Sequence, residues 1–314
     1  MPRVSVVIPT HNRPVLLAEA LASVRSQTFG DWEAIVVDDA SNPPVTVDES
    51  ETRIRVVRHP SSLGGAASKN TGIDNATAEI LAFLDDDDLY GREYLERALD
   101  ILDRNPDLDV VFMGVTWFGA ASQWGQRNYA EAMAKTLGEA QGKIVEAGVL
   151  AFDDNLLDAL LKSVPMAFQR PVVRKQALER IGPYRSDCLL WDCDWAISAT
   201  LNARTALLQD GLYRQRAEGQ GYSSRGDRRF EHLASGIEIK DRFLADTRRG
   251  RYPRHLMPKF RKAAARAWFD LAWHHYQQHD RRRAIGALWS SLLRQFSLPH
   301  LKLLVRLALP HKSR

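Results

Sequence analysis

The feature that most restricts the fold is an alternation. Over the first 120 residues, short and nearly unbroken apolar runs take turns with stretches of helical spacing. VSVVIP (4–9), WEAIVVDDAS (32–41), IRVVRH (54–59), EILAFLDDDD (79–88) and DVVFMGVTWFG (109–119) read as strands. RPVLLAEALASVRSQTF, GGAASKNTGIDNAT and REYLERALDILDRNP read as the helices between them, the last stopped by Pro106. Strands this apolar on both sides of the chain need both sheet faces covered, which is the condition of a parallel α/β sheet. In such sheets ligands gather at the carboxyl ends of the strands. Two acid clusters, Asp38–Asp39 and Asp85–Asp88, fall at those ends.

Four consecutive aspartates are costly to bring together, because like charges repel and desolvation penalises each carboxylate. A positive partner is therefore expected. An EF-hand loop is excluded: from Asp85 the fifth and sixth positions are Leu89 and Tyr90, and from Asp86 the twelfth is Arg97. A solvated loop remains one reading. A divalent cation held by one or two carboxylates plus ligand phosphates is the other, and the strand-end position favours it.

Beyond residue 120 the pattern weakens. YAEAMAKTLGEAQGKIVEAG reads either as helix or as a mobile segment. PVVRKQALERIGPYRSD reads as strand, short helix and Gly-Pro turn, LLWDCDWAISATLNA as an apolar helix, and TALLQDGLYRQR as strand. From about Phe230 the chain is helical, with an antiparallel pair meeting at Gln278–Asp280. Charge divides the same way. Residues 240–314 carry 18 Lys and Arg against 4 Asp and Glu, a net of +14, whereas residues 1–239 carry 25 against 35, a net of −10. The two cysteines, Cys188 and Cys193, are too few for a disulfide framework and point to thiols in a reducing, cytoplasmic setting. Neither a signal peptide nor an apolar run of spanning length is evident. The first loop has no G-x-G-x-x-G, which argues against a dinucleotide-dependent oxidoreductase. His274, His275 and His279 lack accompanying carboxylates and read as a solvated helix face.

VSVVIPTHNR, SVRSQTFGDWEAIVVDDAS, GGAASKNTGI, AFLDDDDLY and VVRKQALERIGPY before WDCDW stand in the order found in the inverting family 2 glycosyltransferases. The chain resembles that family well over residues 1–120 and fairly to about 225. The resemblance implies a GT-A fold, a mostly parallel Rossmann-like sheet flanked by helices, here with a C-terminal helical extension. It implies domains of 1–229 (a nucleotide-sugar half, 1–120, and an acceptor half, 121–229) and 230–314.

The resemblance also assigns residues. Pro9, Thr10 and Asn12 would line the nucleotide pocket, and Asp39 would accept from the N–H of a uracil-type base. Lys69 stands where many members have arginine, and would reach a phosphate as a point charge. The D-x-D pair falls on Asp85 and Asp87. Asp85, with Asp86 sharing, would hold the ribose, and Asp87 the divalent cation, Mn²⁺ or Mg²⁺. Asp194 aligns with the catalytic base, with Asp192 as runner-up; either also has the plain reading of a helix cap. Cys193 replaces a frequent glutamate. Arg216, or Arg214, replaces a phosphate-assisting histidine in YRQRAEGQGYSS, and an exposed structural arginine is an equal reading. Trp191 and Trp195 stack on sugar or belong to the core.

The function implied is metal-dependent transfer from a nucleoside-diphosphate sugar, a UDP-sugar first, to a cell-surface or lipid-linked saccharide. A non-catalytic module of the same fold and a sugar-phosphate nucleotidyltransferase are the alternatives; the second lacks its glycine-rich first loop. No nucleic-acid module is evident in the basic tail. HLKLLVRLALP suits either peripheral contact with the inner face of a membrane or packing on protein.

Overall fold

The computed structural model describes residues 1–48, 50–218 and 228–308. The chain divides into two compact units, residues 1–187 with 191–224, and residues 188–190 with 225–314.

The first unit opens with β1 (Val4–Thr10), α1 (Pro14–Arg25), β2 (Trp32–Asp38), β3 (Ile54–Arg58), α2 (Gly65–Asn75) and β4 (Ile80–Phe83). It continues through β5 (Leu89–Tyr90), α3 (Tyr94–Arg104), β6 (Val110–Phe118) and α4 (Ser122–Ala140). A hairpin of β7 (Lys143–Glu146) and β8 (Val149–Ala151) leads to α5 (Asn155–Leu160), β9 (Pro171–Arg174), α6 (Leu178–Ile181), α7 (Trp191–Asn202) and β10 (Thr205–Arg216). The strands form one sheet in the order β3-β2-β1-β4-β9-β6-β10-β8-β7, with β5 paired to β10 off that path. β3, β2, β1 and β4 run parallel, as do β6 and β10. β9 enters antiparallel between β4 and β6, and β8 and β7 close the far edge antiparallel. The expected mostly parallel sheet is therefore present. The segment read as helix or mobile is helix α4 followed by an exposed strand, β7.

Local sequence explains the placement of the acids. Val4, Val6, Val7 and Ile8 of β1 have no solvent exposure, and neither do Ala34–Val37 of β2. Burial on both faces holds these strands in register, so Thr10, Asp38 and Asp39 emerge side by side where the two strands end. α1 starts with Pro14, whose missing N–H costs nothing in a first turn. α2 approaches β1 closely at Gly72, where a Cβ would sit 2.2 Å from Val7 Cγ1. At the other side of the acids, β10 carries a bulge between Leu208 and Tyr213. Gly114 of β6 makes room for it, since a Cβ there would lie 2.4 Å from the Gln209 carbonyl. The bulge re-aims the second half of β10, which brings Tyr213 and Arg216 to the aspartates.

The second unit holds α8 (Arg229–Arg248), α9 (Met257–Gln277), α10 (Arg281–Arg294) and α11 (Leu298–Ala308). Ile237, Leu271, Ala284, Leu288, Leu303 and Leu307 are among its core residues. Asp280 caps α10 by accepting from the Arg283 N–H. His275 is buried, contrary to a solvated reading of all three histidines, and burial lowers its pKa. Among the described residues no helix is long and apolar enough to cross a membrane.

Candidate functional site

The acids occupy the carboxyl ends of β2 and β4, on either side of the end of β1. Thr10, the last residue of β1, donates its hydroxyl to Asp86 Oδ2 at 2.7 Å. Asn12 takes a left-handed conformation (φ 55°) that asparagine tolerates. Its Oδ1 accepts from the Asn42 N–H at 2.7 Å, and its own N–H donates to Ser41, tying the first loop to the second.

Asp39 is saturated by the protein's own donors. Its two oxygens accept from His59 Nδ1 at 2.8 Å, the Ser62 hydroxyl at 2.7 Å and the N–H groups of Leu63 and Gly64 at 2.7 and 2.9 Å. These bonds outweigh the opposing effect of burial and hold the carboxyl at about 2. Asp38 beside it accepts from the Ser41 and Val45 N–H groups and from Arg58.

Three cations meet the four aspartates. Lys69 Nζ and Arg170 Nη2 each lie 3.1 Å from Asp85, one on each oxygen. Desolvation raises the Asp85 pKa, and the two cations more than reverse it, to about 2. Arg13 Nη1 bridges Asp86 and Asp87 at 3.0 and 3.1 Å. Burial nevertheless pushes Asp86 up to about 6 and raises Asp87 as well. Asp88 has no solvent exposure; it accepts from the Tyr213 hydroxyl at 2.9 Å and the Arg216 N–H at 2.8 Å, with Arg170 at 3.6 Å. Burial pushes it up to about 8. The run is thus a charge mosaic, not a solvated loop: one firmly ionised member, two bridged by a half-buried guanidinium, and one locked into the frame.

α7 carries Trp191, Asp192 and Asp194. Asp192 and Asp194 are two positions apart, which on a helix is about 200°, so they face opposite ways. Asp194 is 3 % exposed, 4.0 Å from Arg185 Nη1. Asp192 is half-buried and interacts with Arg170, Lys69 and Asp85. Desolvation raises its pKa, and the two cations oppose the rise. The helix therefore turns Asp192, the sequence's runner-up, toward the acid cluster. Trp191 leans on Lys69, 4.6 Å from Nζ to the ring centre, while Trp195 is core, stacked on Tyr184 at 5.2 Å. Arg216 is engaged by protein: its Nε donates to the Asp87 carbonyl at 2.8 Å, and Nη2 to Glu19. Residues 219–224 of the YRQRAEGQGYSS motif lie outside the described residues.

Sequence reasoning passed over Arg13, Arg170 and Tyr213. Arg13 stood in the quoted PTHNR motif, and the demand for positive partners was its signal. Arg170 had no local signal.

Among the described residues no three His, Cys, Asp or Glu side chains converge as a self-sufficient metal site. Mg²⁺ and Mn²⁺ take one or two carboxylates and complete their shell with water and phosphate oxygens. Asp86 and Asp87 present one oxygen each to a shared cation, the Arg13 guanidinium, so two hard oxygen donors converge at one point. An open hollow of about 480 Å³ lined by Asp107, Asp109, Arg180 and Arg204 lies where β6 and β10 begin, away from the acids, and its charged side chains pair with one another.

Residues 5–152 match the family described as Glycosyl transferase family 2. The succinoglycan biosynthesis protein ExoW of Rhizobium meliloti is 27 % identical over 241 residues, 70 % of either chain. The GalNAc(5)-diNAcBac-PP-undecaprenol beta-1,3-glucosyltransferase of Campylobacter jejuni is 39 % identical over 108 residues, 32 % of this chain and 34 % of that one. The chain spans 37 % and 18 % of the length of two further curated relatives. Among solved structures, the mannosyltransferase PcManGT from Pyrobaculum calidifontis, in complex with GDP-Man and Mn²⁺, superposes with a TM-score of 0.57 at 20 % identity, over 97 % of this chain and 79 % of that one. S. aureus TarS 1–349 in complex with UDP-GlcNAc gives 0.55 at 18 % identity, over 93 % and 92 %. At these identities the likeness shows a shared GT-A fold.

Proposed function

Residues 5–152 belong to glycosyl transferase family 2, and from that premise we propose that the protein is a metal-dependent inverting glycosyltransferase taking a UDP-sugar and a lipid-linked or cell-surface saccharide. The observation that carries the reading is the pairing of a cation-bridged carboxylate couple, Asp86 and Asp87, with a third carboxylate, Asp192, that interacts with Asp85 of the same run. Support for the cation comes from PcManGT, whose complex holds Mn²⁺ and GDP-Man, and for the acceptor from the Campylobacter relative, whose name specifies an undecaprenol-linked saccharide.

Asp87 would hold the divalent cation, with Asp86 beside it. When bound, that ion supplies Lewis-acid neutralisation of the departing diphosphate. The chain's own groups do the rest. Lys69 and Arg13 lie close enough to the acids to take up phosphate charge once the donor arrives. Asp85, with Asp86 sharing, would hold the ribose, and the Thr10 hydroxyl orients Asp86. Asp39 would accept from the base N–H; the Ser62 hydroxyl, which rotates most readily of its four donors, gives way. Asp192 takes the proton from the acceptor hydroxyl as its oxygen bonds to the anomeric carbon. The bond from that carbon to the phosphate oxygen breaks on the opposite face, which inverts the centre. Burial raises the basicity of Asp192, and Lys69 and Arg170 keep it from being lost to protonation.

Thermal unfolding with nucleotide sugars, with and without MnCl₂, tests the reading. A UDP-sugar should raise the midpoint only together with Mn²⁺, and Asp87→Ala should abolish the rise. Equal stabilisation in EDTA, or by the Asp87→Ala protein, would refute the metal assignment.

A further inference from the structure

Single exposed leucines are ordinary, but a row of them is not. Eight of the fifteen exposed large apolar side chains among the described residues fall between positions 285 and 305. On α10 the buried positions are Ala284, Ala287, Leu288 and Ser291, which face the second unit's core. Ile285, Trp289 and Leu293, spaced by four, form a separate ridge on that helix. α11 repeats the arrangement. His300, Leu303 and Leu307 point inward, and Leu298, Leu301 and Val305 lie on the opposite side of the turn. These six outward side chains are 48–72 % exposed. Each helix therefore has two apolar faces, of which its own core covers one.

Charge identifies what fits the other. From Arg281 to Arg314 the sequence has eight Lys and Arg and no Asp or Glu. A second copy of this surface would bring like charges together, whereas an anionic bilayer offers apolar chains for the ridge and phosphates for the cations. Lys302 follows Leu301 and Arg306 follows Val305, and long basic side chains beside an embedded apolar row can extend to the headgroups. Arg306 stacks over Trp273 at 5.0 Å, which fixes its stem on the helix pair.

We infer that the outward ridge of α10 and α11 docks the protein on an anionic lipid surface, burying Ile285, Trp289, Leu293, Leu298, Leu301 and Val305 among acyl chains. The inference deepens the lipid-linked acceptor reading and rests on it for its purpose, since such an acceptor is confined to a membrane plane. The binding itself needs neither donor nor acceptor, so it stands or falls separately from catalysis.

Co-sedimentation of the full chain with vesicles of phosphatidylcholine containing 30 % phosphatidylglycerol, against phosphatidylcholine alone, tests it. The protein should pellet at least about tenfold more tightly with the anionic vesicles, and salt should weaken binding as expected for several basic contacts. Leu293→Ser with Leu301→Ser should lower partitioning at least about tenfold, the removal of two leucines from an acyl environment. Both sites are exposed, so the unfolding midpoint should hold within about 2 °C. If that pair unfolds, Leu298→Ser with Val305→Ser provides the same measurement. Equal pelleting of wild-type and variant chains overturns the inference, as does absence of vesicle binding. So does a wild-type dimer in solution that the double variant separates, because the ridge would then belong to a second copy.

Discussion

Exchanging each aspartate of WDCDW for asparagine separates the base from its neighbour. Asn keeps the size of Asp and removes the charge and the proton acceptor. At Asp192 the function lost on the proposed reading is general base catalysis, which contributes about 10²–10⁴ in rate, or roughly 3–5 kcal/mol of barrier. The fold should not suffer. The Asp192 pKa is raised by burial, so the folded protein holds the neutral form more readily than the unfolded chain does. Stability linked to this group is therefore present at low pH and lost as pH rises through the folded pKa, and a neutral amide removes that loss. Asp192→Asn should thus be as stable as wild type at pH 8, or more so. Asp194→Asn should behave the other way. Its carboxylate is buried beside Arg185, so neutralising it costs about 1–2 kcal/mol, an unfolding midpoint several degrees lower, while turnover stays within a few-fold. The assay is donor turnover at saturating UDP-sugar and Mn²⁺, alongside calorimetric binding of UDP and a melt of each variant. Nucleotide affinity should change little in either. A dead Asp194→Asn with an active Asp192→Asn would reverse the assignment and discard the argument from helix faces.

Arg13→Gln should tighten binding of Mn²⁺ alone by about three- to tenfold at pH 8.5, because the guanidinium now shares Asp86 and Asp87 with any incoming cation; titration calorimetry with MnCl₂ reads this, and weaker binding would mean that Arg13 organises the site instead of competing for it. Asp39 should support acid stability: its carboxyl sits at about 2 against an ordinary value near 4, so about 2 kcal/mol is present above pH 4 and lost as pH falls toward 2. Urea unfolding of wild type and Asp39→Asn at pH 6 and pH 3 should show the gap between them narrowing at the lower pH, and a constant gap would contradict the bond network. Gly72→Ala should destabilise by about 1–2 kcal/mol, a Cβ pressed to 2.2 Å from Val7 Cγ1 costing more than the better helix former returns. Val7→Ala in the same chain should recover part of that loss, and strictly additive costs would place the strain elsewhere.

The inner parallel strands β1, β2 and β4 were legible because they are buried on both faces, and such burial leaves continuous apolar runs in the sequence. β9 was legible as a strand but not in its direction: PVVR pairs antiparallel with both β4 and β6, and nothing in four residues encodes orientation. β7 left no mark. Lys143, Ile144 and Val145 are exposed, so the strand owes its existence to pairing with β8 and has no buried face of its own to signal it. The expectation for α11 met a different limit. Its leucines announce apolar contact, but the sequence gives no means of dividing them between the core and the outside; the helix assigns Leu303 and Leu307 to one and Leu298 and Leu301 to the other.

At the site, the residues that touch one another came from far apart, and legibility fell with that distance. The run Asp85–Asp88 demanded cations, and the chain supplies them from positions 13, 69 and 170. Lys69 was expected to meet a phosphate and is found against Asp85; both follow from one buried ammonium that must have an anionic partner in whichever state the site is. Arg170 was invisible because it follows a 3₁₀ turn and precedes β9 with no motif around it; tertiary folding alone inserts it beside Asp85, Asp88 and the Tyr213 ring. The WDCDW stretch shows the sharper limit. Counting along a sequence treats Asp192 and Asp194 as near neighbours, and on a strand they would share a face. On α7 they cannot: one turns toward Lys69 and Arg170, the other toward Arg185. On the proposed reading, the 3.6-residue repeat of the helix, not their order in the sequence, selects which of the two acids serves as base.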